Sequence, residues 1–148
     1  MYTFSEEIPS PDVYNGLREI VGWGAMDNTA VEAALPNSVF GVIARYDDQV
    51  VGFARVVGDG GLAYQIQEII VHPDHQRRGI ASTFMDHVMR YLEKNAVKRA
   101  YIGVFVAKGL ESFYARYGFW RRPTARMGPG MIQLWNDAEV NEELGRPE

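Results

Sequence analysis

The residues from 62 to 95, LAYQIQEIIVHPDHQRRGIASTFMDHVMRYLEKN, constrain this chain more than any other stretch. The run at 62–71, rich in Ile, Val and Tyr, reads as a strand. His72-Pro73-Asp74 ends it, because proline cannot donate to a sheet ladder. From about Gly79 the pattern changes period. Ile80, Phe84, Val88, Tyr91 and Leu92 recur at helical spacing, while Asp86, Arg90, Glu93 and Lys94 fall on the other side. At the junction, Gln76-Arg77-Arg78-Gly79-Ile80-Ala81, no Ser, Thr, Asp or Asn stands where a helix cap is expected. Free helix amides, the positive end of the helix dipole and two arginines together make an anion site, best suited to a phosphate. The simpler alternative is a basic turn capped by water.

The flanking sequence supplies a sheet for this unit. Tyr2-Thr3-Phe4 is a short strand. Ser10-Pro11 starts a helix, with Ser10 as cap, Pro11 in the first turn and Val13, Leu17, Ile20 and Val21 as its apolar stripe. Gly22-Trp23-Gly24 breaks it, and a second short helix covers 29–35. Residues 39–46 and 50–57 form a hairpin about Asp47-Asp48-Gln49, and the glycine cluster at 58–61 is the next turn. Beyond the long helix, 100–106 is a strand, 111–117 a helix stopped by Gly118, and 119–121 with 131–135 a final pair of strands. The acidic segment from Asn136 reads as a frayed tail. Antiparallel strands followed by one strand–helix–strand crossover make an α+β sheet covered by helices.

Composition narrows the function. The 148 residues suit one domain with a proper core. A formal charge of −4 argues against nucleic acid as main partner and sits better with cationic, amine-bearing molecules. With no cysteine, a disulfide framework, a thiolate metal site and a cysteine acyl-enzyme are excluded. His72 and His75 lack a third ligand, so no metal is expected, and His87 reads as a surface or packing residue. The N-terminus lacks a secretory pattern and no apolar run reaches the length of a membrane span. A cytoplasmic protein without membrane contact is therefore the expectation.

Residues 76–81 resemble the pyrophosphate loop of the GNAT superfamily of acyl-CoA-dependent N-acetyltransferases, Gln/Arg-x-x-Gly-x-Gly/Ala, with Ala81 where glycine is commoner. Downstream, Phe113-Tyr114-Ala115-Arg116-Tyr117-Gly118-Phe119 resembles that superfamily's FYxxxGF block. The resemblance covers roughly residues 39 to 135. It implies one GNAT domain over 1–148, a mixed, mostly antiparallel sheet of about six to seven strands and about four helices. It implies a splay between the strands at 62–71 and 100–106, where backbone groups of Ile69, Ile70 and Val71 hold pantetheine. The pyrophosphate would lie on Gln76, Arg77, Arg78, Gly79, Ile80, Ala81 and Ser82. Acetyl-CoA follows as co-substrate, without a metal. Relatives often hold the pantetheine with an asparagine seven residues before the block's tyrosine, and here that position is Ala107.

The expected reaction is direct acetyl transfer to an amine in a ternary complex. A lysine-type amine has a pKa of about 10.4, so freeing it at neutral pH costs on the order of 4 kcal/mol and calls for a base. Glu68, the one carboxylate in the 62–71 strand, is the candidate. Alternation places it on one face with Ile66 and Ile70, and apolar neighbours favour a useful base. A salt bridge to Arg45 or Arg55 is the competing role. By resemblance Tyr114 is the acid for the departing thiolate, against a plain core aromatic. Trp23 lines the acceptor cleft or is a buried core residue, and Arg126 and Met127 have the same double status. The acceptor expected is a small amine, with a protein N-terminus or lysine, a longer acyl-CoA, or a non-catalytic acyl-CoA-binding regulator as alternatives. A homodimer is compatible with all of these.

Overall fold

The structure, a computed structural model, describes residues 1–147. Two compact units divide the chain, Met1–Ala107 and the segment from Lys108 onward.

The first unit is a five-stranded sheet in chain order: β1 (Tyr2–Ser5), β2 (Phe40–Tyr46), β3 (Gln49–Gly58), β4 (Ala63–Val71) and β5 (Tyr101–Val104). The first four strands are antiparallel neighbours. β5 lies parallel to β4 and is reached through α3 (Ile80–Asn95). The β2–β3 turn is two residues, Asp47 and Asp48, both with positive φ, the geometry that matches hairpin twist. At the β3–β4 turn the Asp59 carboxylate accepts from the amides of Gly61, Leu62 and Ala63. Those bonds hold the carboxyl below its usual pKa.

Helices cover both faces. α1 (Pro11–Ile20) starts as expected, with the Ser10 hydroxyl accepting from the Val13 amide, and α2 (Asn28–Ala34) follows. Tyr14, Leu17, Val31 and Leu35 pack on Ile43, Phe53 and Ile70 to form one core layer. Ile20, assigned to the apolar stripe, is 51% exposed, and Tyr14 takes the buried position instead. On the other face α3 packs against β2, β3 and β4. Phe84 meets Phe4 edge-on and Tyr91 stacks on Phe40, with ring centroids 5.8 and 4.7 Å apart.

One irregularity in β4 bears on the site. Arg55 pairs with Glu68 and Val56 with Ile66, so Gln67 has no partner and forms a bulge. The bulge reverses the alternation. Tyr64 contacts Tyr91 on the α3 face, and Ile66 shares that face through Val56. Glu68 and Ile70 instead turn to the α1–α2 face. The expectation that Ile66 and Glu68 share a face is thus corrected by one extra residue. Pairing with β5 runs only from Ala63 to Ile66, so β4 beyond the bulge has an unpartnered edge.

The second unit contains α4 (Glu111–Ala115) and α5 (Ala138–Leu144). Residues 119–121 and 131–135 do not form the expected strands. In the second of these runs a side chain occupies the backbone, since Asn141 bonds both the amide and the carbonyl of Leu134, and between the runs the Thr124 hydroxyl accepts from the amides of Arg126 and Met127. Within the segment expected to fray, 137–148, of which residue 148 lies outside the described residues, a short helix is present. Asp137 caps α5 by accepting from the Val140 amide at 3.1 Å. The described chain therefore has five strands and five α-helices, where six to seven strands and four helices were expected.

Candidate active site

Between β4 and α3 the chain makes a short 3-10 turn, Pro73–His75, and then the 76–81 loop. Gly79 sits at the α3 N-terminus with φ 79° and ψ 9°, and no side chain caps the helix. Its left-handed conformation suits glycine, and a Cβ built there meets nothing within 4 Å. Thr83 bonds the Gly79 carbonyl by both amide and hydroxyl, which makes that carbonyl the first acceptor of the helix. Arg77 and Arg78 are exposed and have no ion-pair partner among the described residues. The Gln76 amide turns back to the Val71 carbonyl at 3.0 Å, tying the loop to the end of β4.

The strand end fits the same picture with one adjustment. The His72 amide donates to the Val51 carbonyl at 2.7 Å, so in this register His72 and Ile70 are the residues bonded to β3. The ladder to Phe53 therefore occupies the backbone of Ile70. Ile69 and Val71 direct their backbone groups to the unpartnered edge instead. Of the three expected backbone contacts, the Ile69 groups and the Val71 amide remain to serve a ligand, while the Val71 carbonyl already accepts from Gln76. An open strand edge leading to an uncapped helix start with two free arginines fits an elongated ligand ending in a diphosphate.

On the α1–α2 face lies a buried polar cluster. Glu68 is 4% exposed, Arg55 8% and Tyr14 5%. Arg55 grips the carboxylate with Nε to Oε1 at 2.7 Å and Nη2 to Oε2 at 3.0 Å, and its Nη1 reaches the Ser38 hydroxyl at 3.2 Å. The Tyr14 hydroxyl donates to Glu68 Oε2. Burial, then the bond to Glu68, raises the Tyr14 pKa above its ordinary value, so the phenol keeps its proton at neutral pH. The salt bridge weighed for Glu68 is thus present with Arg55, while Arg45 pairs with Glu7. Sequence reasoning missed Tyr14. Its position one turn after the Ser10-Pro11 helix start placed it on the inward face, but nothing local marked its hydroxyl as paired.

Above Tyr14, the Arg18 guanidinium lies 5.7 Å from its ring and 5.8 Å from the ring of Trp23. Trp23 is 48% exposed, so the buried-core alternative for it does not hold. Asn15 secures the loop beneath by bonding both backbone groups of Met26 at 3.0 Å. His87 bonds Glu6 and stacks on Phe4, a packing role. No cluster of three metal-binding side chains occurs among the described residues, and no described helix is long and apolar enough to cross a membrane.

In the second unit Tyr114 is 8% exposed, and its ring lies 5.0 Å from Phe113 and 6.2 Å from Phe119. Burial raises its pKa, keeping the phenol protonated at neutral pH. Arg126 and Met127 lie in the Thr124 turn of the same unit.

Known proteins share this fold. SA2161 of meticillin-resistant Staphylococcus aureus, described as a "Probable Acetyltransferase", superposes with a TM-score of 0.82 at 30% identity, covering 91% of this chain and all of that one. The GNAT family protein SP0256 of Streptococcus pneumoniae gives 0.72 at 27% identity, covering 93% of this chain and all of its own. A ycf52-like N-acetyltransferase of Prochlorococcus marinus, itself uncharacterized, is 31% identical over 72% of this chain. The chain spans about three-fifths of that relative's length, 61%. The family model "Acetyltransferase (GNAT) family" matches residues 8–119. With that match over most of its length, the chain belongs to the GNAT family of acetyltransferases.

Proposed function

We propose that this protein transfers the acetyl group of acetyl-CoA directly to a small amine-bearing acceptor in a ternary complex. The observation that carries the reading is the uncapped α3 start at Gly79, flanked by unpaired Arg77 and Arg78 and continuous with the open edge of β4. Gln76, Arg77, Arg78, Gly79, Ile80, Ala81 and Ser82 would hold the diphosphate, and the Ile69 backbone with the Val71 amide the pantetheine arm. The bound co-substrate supplies an acetyl group activated as a thioester. Glu68 accepts the proton that the acceptor ammonium must lose, and Tyr114 gives its hydroxyl proton to the leaving sulfur. The fold acts as a single domain in the cytoplasm, without nucleic acid or membrane partners.

Calorimetric titration with acetyl-CoA tests the cofactor half of this reading. A screen of spermidine, tyramine, kanamycin and an alanine-terminated peptide, read by free-thiol release, tests the acceptor half. Binding together with turnover of a small amine is expected. Turnover of the peptide alone would move the acceptor to a protein N-terminus. Binding without turnover of any amine would favour a regulator.

A further inference from the structure

Glu68 presents a difficulty for the role proposed above. Its side chain is 3% exposed, and its two oxygens already receive three donors: Arg55 Nε, Arg55 Nη2 and the Tyr14 hydroxyl. Two of these are guanidinium N–H groups, which do not give up protons in proteins. The third is a phenol, which can pass one proton forward while receiving another. Of the three donors that hold Glu68, Tyr14 is therefore the one that can pass a proton on to it. The same ring lies directly below Arg18, which also covers the half-exposed Trp23 in the loop between α1 and α2. We infer that Tyr14 is the proton relay of this active site, receiving the acceptor's proton and handing its own to Glu68.

This inference rests on the reading of Glu68 as base and adds the route to it. In the step, an N–H bond of the acceptor ammonium breaks and an O–H bond forms at Tyr14 Oη. The original Tyr14 O–H bond breaks and one forms at Glu68 Oε2. The amine is left neutral with its lone pair free, and no electron donor or acceptor is needed. The charged groups around the phenol are Arg18 from α1, Arg55 from β3 and Glu68 from β4. A concerted handover avoids a free phenolate beneath them. A proton resting on Glu68 would leave Arg55 an unpaired buried cation, so after the product leaves it returns by the same route, from Glu68 Oε2 to Tyr14 Oη as the Tyr14 proton passes to water.

The test uses the full chain, acetyl-CoA and whichever of spermidine, tyramine or kanamycin turns over best, under conditions where chemistry limits the rate. Tyr14→Phe should lower kcat about 10²-fold or more, within the usual range for a lost proton-transfer group. Acetyl-CoA affinity should stay within about threefold, because the relay lies outside the 76–81 loop. The residual rate should rise with unit slope from pH 7 to 9 as free amine accumulates, a signature that loss of packing does not produce. A folded Tyr14→Phe with the parent's rate and pH profile overturns the relay. Replacement of Tyr14 by 3,5-difluorotyrosine keeps the shape and makes the phenol more acidic. It should move the pH profile toward lower pH, and an unmoved profile overturns the relay even if Tyr14→Phe fails to fold. Glu68→Gln run alongside separates the two levels. A slow Glu68→Gln with a normal Tyr14→Phe removes only the relay, and normal rates in both remove the base as well.

Discussion

Replacing Gly79 tests the proposed diphosphate site with little else disturbed. The residue has φ 79°, and a Cβ there has nothing within 4 Å, so no neighbour must move. The stability cost is then the left-handed backbone alone, about 1–2 kcal/mol for an L-residue. At about 2–4 °C per kcal/mol for a chain of this size, the melting temperature should fall by roughly 2–8 °C. Gly79→Ala and Gly79→Trp carry the same backbone cost, so their difference isolates occlusion of the helix start. If the indole denies the diphosphate two charge-assisted bonds of about 1.5–3 kcal/mol each, affinity should drop by about 10²–10⁴. The alanine variant should bind CoA within about tenfold of the parent, by the same arithmetic. Calorimetry with CoA and thermal melts without it give both quantities. A folded Gly79→Trp that binds CoA as tightly as the parent would refute the placement of the cofactor, and the proposed function with it.

Other outcomes follow from the remaining groups. Glu68→Gln should cut turnover by roughly 10²–10⁴ near neutral pH and, by leaving Arg55 without a counter-charge, lower stability by about 3–5 kcal/mol. Adding Arg55→Met to Glu68→Leu should restore most of the melting temperature but none of the activity, and a restored rate would show that the cluster is structural only. Tyr114→Phe should slow turnover with unchanged CoA affinity, and a parental rate with chemistry limiting would make Tyr114 a core residue. Tyr14 and Tyr114 titrate above the ordinary 10.0 when folded, so the unfolded chain loses these protons first. Stability is therefore full below about pH 10 and falls as pH climbs through the folded values. Melting curves from pH 8 to 12 should show this decline, and Tyr14→Phe should flatten it.

The parts legible in the sequence were those whose cause is local. Ser10-Pro11, the turn at Asp47-Asp48 and the missing cap before Ile80 each carry their physics within a few residues, and only the turn came out a residue shorter than expected, with Gln49 already in β3. The errors came from groups satisfied at a distance or by an unforeseen side chain. Asn141 bonds the backbone of Leu134, which an apolar run had marked as strand. Glu68 was visible as a lone carboxylate in an apolar strand. Its hydrogen-bonded partner Tyr14 lies 54 residues earlier and looked like one more aromatic on a helix face. The bulge escaped notice because burial still alternates from Tyr64 to Ile70 while the face being buried changes.

That bulge also bears on how a ligand arrives. β5 stops pairing at Ile66, and the very next residue is the unpartnered Gln67. A bulge bends its strand and steepens the twist, and β4 is left without a β5 partner from the residue where this one begins. That unpartnered edge exists before anything binds to it. A site that need not be wedged apart spends no binding energy on separating strands. Its association rate should follow simple encounter, rising linearly with cofactor concentration and showing no plateau from a slow opening step.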